Sequence, residues 1–215
     1  MNISYNTLVV LSGVSLLGAA AGMVGAFAVL RRRALTGDAL AHAALPGLCL
    51  AFMATGERRL PVLLLGAFTS CLLGKVAIAA LKRWTKLKED SALGIVLTVF
   101  FGAGIALSRV IQNQFPGSSK AGLDSFILGK TAGMTRDDLL LIATVAAGCL
   151  AVVVLLYKEF KLTSFDAGFA RALGWPVYMF DFLLMALVAI AVVIGLPAVG
   201  VVMIASLLIV PAAAA

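Results

Sequence analysis

Leu30-Arg31-Arg32-Arg33-Ala34-Leu35-Thr36-Gly37-Asp38-Ala39-Leu40-Ala41-His42-Ala43-Ala44-Leu45-Pro46-Gly47 is the stretch that decides how this chain is built. Three consecutive arginines close one apolar run and precede another. The second run, residues 34–56, carries a carboxylate, Asp38, the only histidine of the chain, His42, and then Pro46-Gly47. Residues four apart on a helix share a face, so Asp38 and His42 can both reach one cation. Ionisable groups in a membrane segment are costly and by default mark a pathway, a partner or a ligand.

Outward from this stretch the same alternation continues. The chain has 215 residues, 62% of them hydrophobic and only 13% charged. A soluble domain is nearer half apolar and a quarter charged. A membrane span needs about 20 mostly apolar residues. Such runs occupy residues 8–30, 34–56, 60–81, 91–111, 139–157, 177–196 and 199–215. The expected fold is an all-α, polytopic transmembrane bundle with about seven membrane segments, and residues 1–215 form one transmembrane domain. The first run is too long for a signal-peptide core and its basic cluster follows rather than precedes it, so it reads as a span.

Topology follows from Lys and Arg, which concentrate on the cytoplasmic side. With the N-terminus outside, the inner segments hold Arg31, Arg32, Arg33, Lys82, Arg83, Lys86, Lys88, Lys158, Lys161 and Arg171. The outer segments hold only Arg58, Arg59, Arg109, Lys120, Lys130 and Arg136. The net charge of +7 is therefore a topology signal, not a nucleic-acid footprint. Residues 112–136 must begin and end outside. Their middle, 122–129, is too short to cross and reads as a re-entrant or interfacial piece held against protein.

Other polar residues admit plain readings. Cys49, Cys71 and Cys149 lie in apolar runs without a CxxC pair and read as small buried hydrophobes. Lys75 is expected to snorkel towards the inner surface. Asp181 is expected at headgroup depth, solvated, with a pore role as the alternative. Gly13, Gly18, Gly22 and Gly25 fit small-residue packing between helices. Gly195, Pro197, Gly200 and Pro211 break the last apolar sequence, as in helices that line a transport path.

Four stretches together resemble the ABC-3 family, the permease subunits of bacterial ATP-driven importers for manganese, zinc or iron. The first is the arginine-flanked segment quoted above, similar to a G-D-A-x-x-H-x-x-L-P-G signature. The others are Glu89-Asp90-Ser91-Ala92-Leu93-Gly94-Ile95, then residues 164–174, then residues 199–213. Gly122-Leu123-Asp124-Ser125-Phe126 is more similar to the manganese branch than to the zinc branch. The resemblance implies a type II-like importer permease in the bacterial inner membrane. It also implies Asp38 and His42 as pore ligands for the transported divalent metal, with no resident cofactor. A separate ATP-binding subunit, a second permease copy or paralogue, and an extracytoplasmic metal-binding protein are the implied partners. Family members usually continue with at least one more span, and the last run ends without a basic flank, so a C-terminal truncation is expected.

Carboxylate and imidazole suit Mn, Fe(II) and Zn. Two copies about a two-fold axis would supply two Asp and two His. The competing reading makes Asp38 the N-cap of the second helix and His42 an interior histidine. Pro46 frees the carbonyl of His42 from its helical bond, either for a ligand or merely as a packing kink. In residues 164–173, Phe165, Phe169, Ala172 and Leu173 can form one apolar face, with Asp166 and Arg171 outside it. The resemblance makes this the coupling helix, with Phe165, Asp166, Phe169, Ala170, Arg171, Leu173 and Gly174 facing the ATPase. A helix resting on lipid headgroups is the alternative. No HExxH, nucleophile elbow or GxxxxGK[ST] occurs, so neither a membrane hydrolase nor an ATPase is indicated. An ion-coupled metal carrier or a channel is the other transport class.

Overall fold

The computed structural model describes residues 5–31, 33–56, 59–114 and 129–214. Its helices are α1 Tyr5–Leu30, α2 Ala34–Thr55, α3 Leu60–Trp84, α4 Glu89–Gln114, α5 Arg136–Leu155, α6 Tyr157–Phe165, α7 Ala167–Ala172 and α8 Val177–Ala214. A short 3-10 turn, Thr131–Gly133, precedes α5. Helices are what apolar runs of this length must form, because the hydrocarbon core offers backbone groups no water. The ends are set locally. Pro61 stands in the first turn of α3, where its missing N–H costs nothing. Glu89 and Asp90 open α4 against the positive end of its dipole. Thr135 and Asp138 form a reciprocal capping box on α5, satisfying two otherwise bare N–H groups.

Among the described residues, six helices are long and apolar enough to cross a membrane: α1 to α5 and α8. The last has 38 residues, about 57 Å if straight against a hydrocarbon core of about 30 Å. It is not straight. Gly200 has φ 81° and ψ 169°, a region open essentially to glycine alone. Beyond it the chain doubles back: Val188 and Leu208 both lie against Gly37, and Ile204 lies against Gly195. The two arms of α8 thus account for the sixth and seventh apolar runs. Carbonyls freed at the bend are met by other groups. The Lys130 N–H donates to Pro197 O at 3.2 Å, and Thr131 Oγ1 donates to Ala198 O at 2.7 Å. Of the expected re-entrant piece, residues 122–128 lie outside the described residues. Gly129 packs directly on the Val199 carbonyl.

α2 lies at the centre, packed against α3, α4 and α8. A Cβ at Gly47 would collide with the Gly66 carbonyl oxygen, so α2 and α3 touch backbone to backbone, as small residues permit. Ser70 Oγ donates to Ala43 O at 2.7 Å across the same seam. α1 packs along the returning arm of α8, with Gly25 against the Leu208 carbonyl and Gly22 against Pro211. The three cysteines are free and buried. The charged ends sort as the Lys and Arg distribution requires. Arg31, Arg33, Lys75, Lys82, Glu89 and Asp181 meet at one end. At the other, Arg136 sits 4.5 Å over the Tyr5 ring.

Candidate functional site

Asp38 and His42 occupy successive turns of α2, and His42 Nε2 lies 3.5 Å from Asp38 Oδ1. The side chains are 35% and 16% exposed, respectively. The cap reading of Asp38 does not hold. α2 begins at Ala34 with Arg33 as N-cap and no side-chain cap bond, so Asp38 stands inside the helix. The imidazole packs edge-on against Phe101 of α4, with ring centroids 4.8 Å apart. Its Nδ1 is buried without a hydrogen-bond partner among the described residues. Packing therefore orients the ring, and a buried polar atom left bare costs about 1–3 kcal/mol. Pro46 stays within a continuous helix and is braced by α4, since a Cβ at Gly104 would meet Leu45 and Pro46. No group of three or more His, Cys, Asp or Glu stands together among the described residues. The α2 pair is thus an open, two-donor set.

The segment 164–173 is two short helices rather than one. α6 ends at Phe165, and Asp166 caps α7 by accepting from the Phe169 N–H at 2.8 Å. Phe165, Phe169 and Leu173 are exposed, whereas Ala170 is fully buried. Arg171 bonds the Ala167 carbonyl of its own turn. Gly174, with φ 82°, follows the end of α7. The result is a small knob with three apolar side chains outward and one alanine anchoring it.

Sequence reading missed the cluster behind that knob. Asp181 stands at the same end as the arginines that flank the first span and is ion-paired there, its side chain 21% exposed. Its Oδ1 lies 3.0 Å from Arg31 Nη1 and its Oδ2 2.7 Å from Arg33 Nη1. Lys75 reaches towards the end that carries the arginines, as expected, but stops at a protein partner: its Nζ lies 3.7 Å from the same Oδ2, with no hydrogen bond among the described residues. Arg31 Nε donates to Ser164 Oγ at 3.3 Å. Burial pushes the Arg31 guanidinium below its ordinary range, and Asp181 pulls it back. The available signal was one acidic residue in a span facing cationic segments; opposite charges at membrane depth pair with one another.

Fold and charge placement define a polytopic α-helical membrane protein with a polar pair on its central helix. Residues 4–215 match the ABC 3 transport family, and the chain belongs to that family. It is 51% identical over 207 residues to the manganese transport system membrane protein MntC of Bacillus subtilis, covering 96% of this chain and 47% of that one. It is 44% identical over 211 residues to the zinc transport system membrane protein TroC of Treponema pallidum, covering 98% of this chain and 70% of that one. Among solved structures, PsaBC from Streptococcus pneumoniae in complex with Fab superposes with a TM-score of 0.85 at 32% identity. That match covers 98% of this chain and 72% of the other. The chain thus spans about half the length of the B. subtilis relative and about two thirds of the T. pallidum one.

Proposed function

We propose that the chain is the membrane permease of an ATP-driven importer for divalent transition-metal ions, with Asp38 and His42 as ligands along the path. The observation that carries this reading is the 3.5 Å separation of His42 Nε2 and Asp38 Oδ1 on the buried central helix. Two donors about 2.1 Å from a tetrahedral ion stand about 3.4 Å apart, so one cation fits between them with little adjustment. Two ligands alone hold an ion weakly, which suits a transit site. A second permease copy or paralogue would complete the set. Manganese is the favoured cargo, in line with the name of the B. subtilis relative, and the T. pallidum relative bears the name of zinc. Fe(II) shares the same ligand chemistry. The residues whose sequence favours manganese, 122–126, lie outside the described residues.

ATP hydrolysis belongs to a separate subunit docking on the knob of Phe165, Asp166, Phe169, Ala170, Arg171, Leu173 and Gly174. An extracytoplasmic binding protein delivers the metal, and the bacterial inner membrane is the setting. The test is radioactive manganese uptake, with immunoblots of the membrane fraction, for Asp38→Ala and His42→Ala. Each is expected to abolish uptake at limiting metal while insertion is normal, since losing a charge eases insertion. Uptake near wild type in either variant would refute the site. Metal-stimulated ATPase activity of the reconstituted complex separates an importer from an ion-coupled carrier or a channel.

A further inference from the structure

The cluster around Asp181 contains one cation too many for the bonds it makes. Asp181 Oδ2 holds Arg33 at 2.7 Å, and Lys75 Nζ waits 3.7 Å from the same oxygen. That ammonium is buried, with a side chain 16% exposed, and has no hydrogen bond among the described residues. A buried ammonium left short of partners is expensive and calls for an explanation. Arg33 Nε also lies 3.9 Å from Oε1 of Glu89, an ion-pair contact longer than a hydrogen bond, while the other oxygen of that carboxylate holds Lys82. Two pairings are therefore within a small side-chain movement of each other. In one, Asp181 binds Arg33. In the other, Asp181 binds Lys75 and Arg33 moves to Glu89.

The position of these residues gives the exchange a consequence. Arg33 is the N-cap of α2, the helix of Asp38 and His42. Arg31 binds Asp181 on one side and Ser164, three residues before α7, on the other. A cleft of about 410 Å³, lined in part by Arg31, Ser164, Ala167, Arg171 and Asp181, separates the knob from this cluster. A displacement of the α6–α7 knob thus reaches Asp181 through Ser164, in the last turn of α6, and Arg31, and from there the start of α2 through Arg33.

We propose that Asp181 is a two-position switch, alternating between Arg33 and Lys75, that couples movement of the α6–α7 knob to movement of the metal-bearing helix α2. Lys75 is a positioning residue: it touches no metal and acts by donating to the Asp181 carboxylate when Arg33 leaves. The inference rests on the reading of α7 as the ATPase-facing element and of α2 as the metal helix. Closely packed elements with two discrete arrangements are what carry such coupling.

Lys75→Met tests it in the assembled transporter in proteoliposomes. The variant removes the charge but keeps much of the length and apolar stem. Were Lys75 merely structural, deleting an under-bonded buried cation would leave stability and transport unchanged, or move them together. The switch predicts that they part. The melting midpoint stays equal or rises, while manganese uptake and manganese-stimulated ATPase fall at least about fivefold, the lower end of usual coupling strengths. Lys75→Arg, which keeps a cation in reach, restores both. A smaller fall, a fall in melting midpoint that accompanies it, or no restoration by Lys75→Arg overturns the proposal. Phe169→Asp is assayed in parallel for ATPase binding. If the ATPase stays bound to that variant, the docking reading fails, whereas the Lys75 comparison is read independently of it.

Discussion

Arg31 and Asp181, 150 residues apart in the chain, meet at 3.0 Å and tie the entrance of α2 to the start of α8. The Arg31 side chain is only 7% exposed, so little of it is left to water. Asp181→Ala leaves that guanidinium, together with Arg33 and Lys75, without the shared carboxylate. Breaking a buried pair from one side costs about 3–5 kcal/mol. The purified variant should therefore melt well below wild type in detergent. A midpoint equal to wild type would mean that the pair is solvated in the working protein.

The bend at Gly200 is a second point of vulnerability. Its φ of 81° with ψ of 169° is closed to a side chain, so Gly200→Ala should cost about 1–3 kcal/mol. Gly148 of α5, with nothing among the described residues within 4 Å of an added Cβ, is the control. Gly148→Ala should change stability by less than about 1 kcal/mol. Equal midpoints for the two variants in a thermal melt would argue against a glycine-specific bend.

The sidedness of the bundle is open to direct labelling. Lys86 follows α3 at the same end as Lys82, Glu89 and Asp181. A cysteine placed at Lys86 should react with a membrane-impermeant maleimide only when the cytoplasmic face is opened. The native Cys49, Cys71 and Cys149 are buried and should stay silent. Labelling of intact cells from the periplasm would invert the topology.

Phe169 is exposed on the knob, so replacing it should disturb docking and not folding. Phe169→Asp is expected to shift stability by no more than about 0.5 kcal/mol. It should abolish co-purification of the ATP-binding subunit while metal binding persists. Retention of both would remove α7 from the docking surface.

Much of this molecule is legible locally. Each crossing helix is close to its apolar run, because about 20 apolar residues both span the bilayer and satisfy their own backbone. The pairing of Asp38 with His42 is legible for the same reason: a four-residue spacing is fixed by the helix itself. The competing cap reading fails on one detail, the start of α2 at Ala34 rather than beside Asp38. Helix ends are set by charge and packing beyond the local pattern.

The sequence alone determined the helical class, the order of the spans, and the face shared by Asp38 and His42. Those properties depend on neighbours within a few residues or on the solvent each run requires. Tertiary structure alone decided that Lys75 meets Asp181, that Asp181 collects Arg31 and Arg33, and that Lys130 and Thr131 meet the carbonyls beside the bend at Gly200. A charge in an apolar run announces that a partner exists. Which partner it finds is settled by helix packing, where residues 150 apart become nearest neighbours.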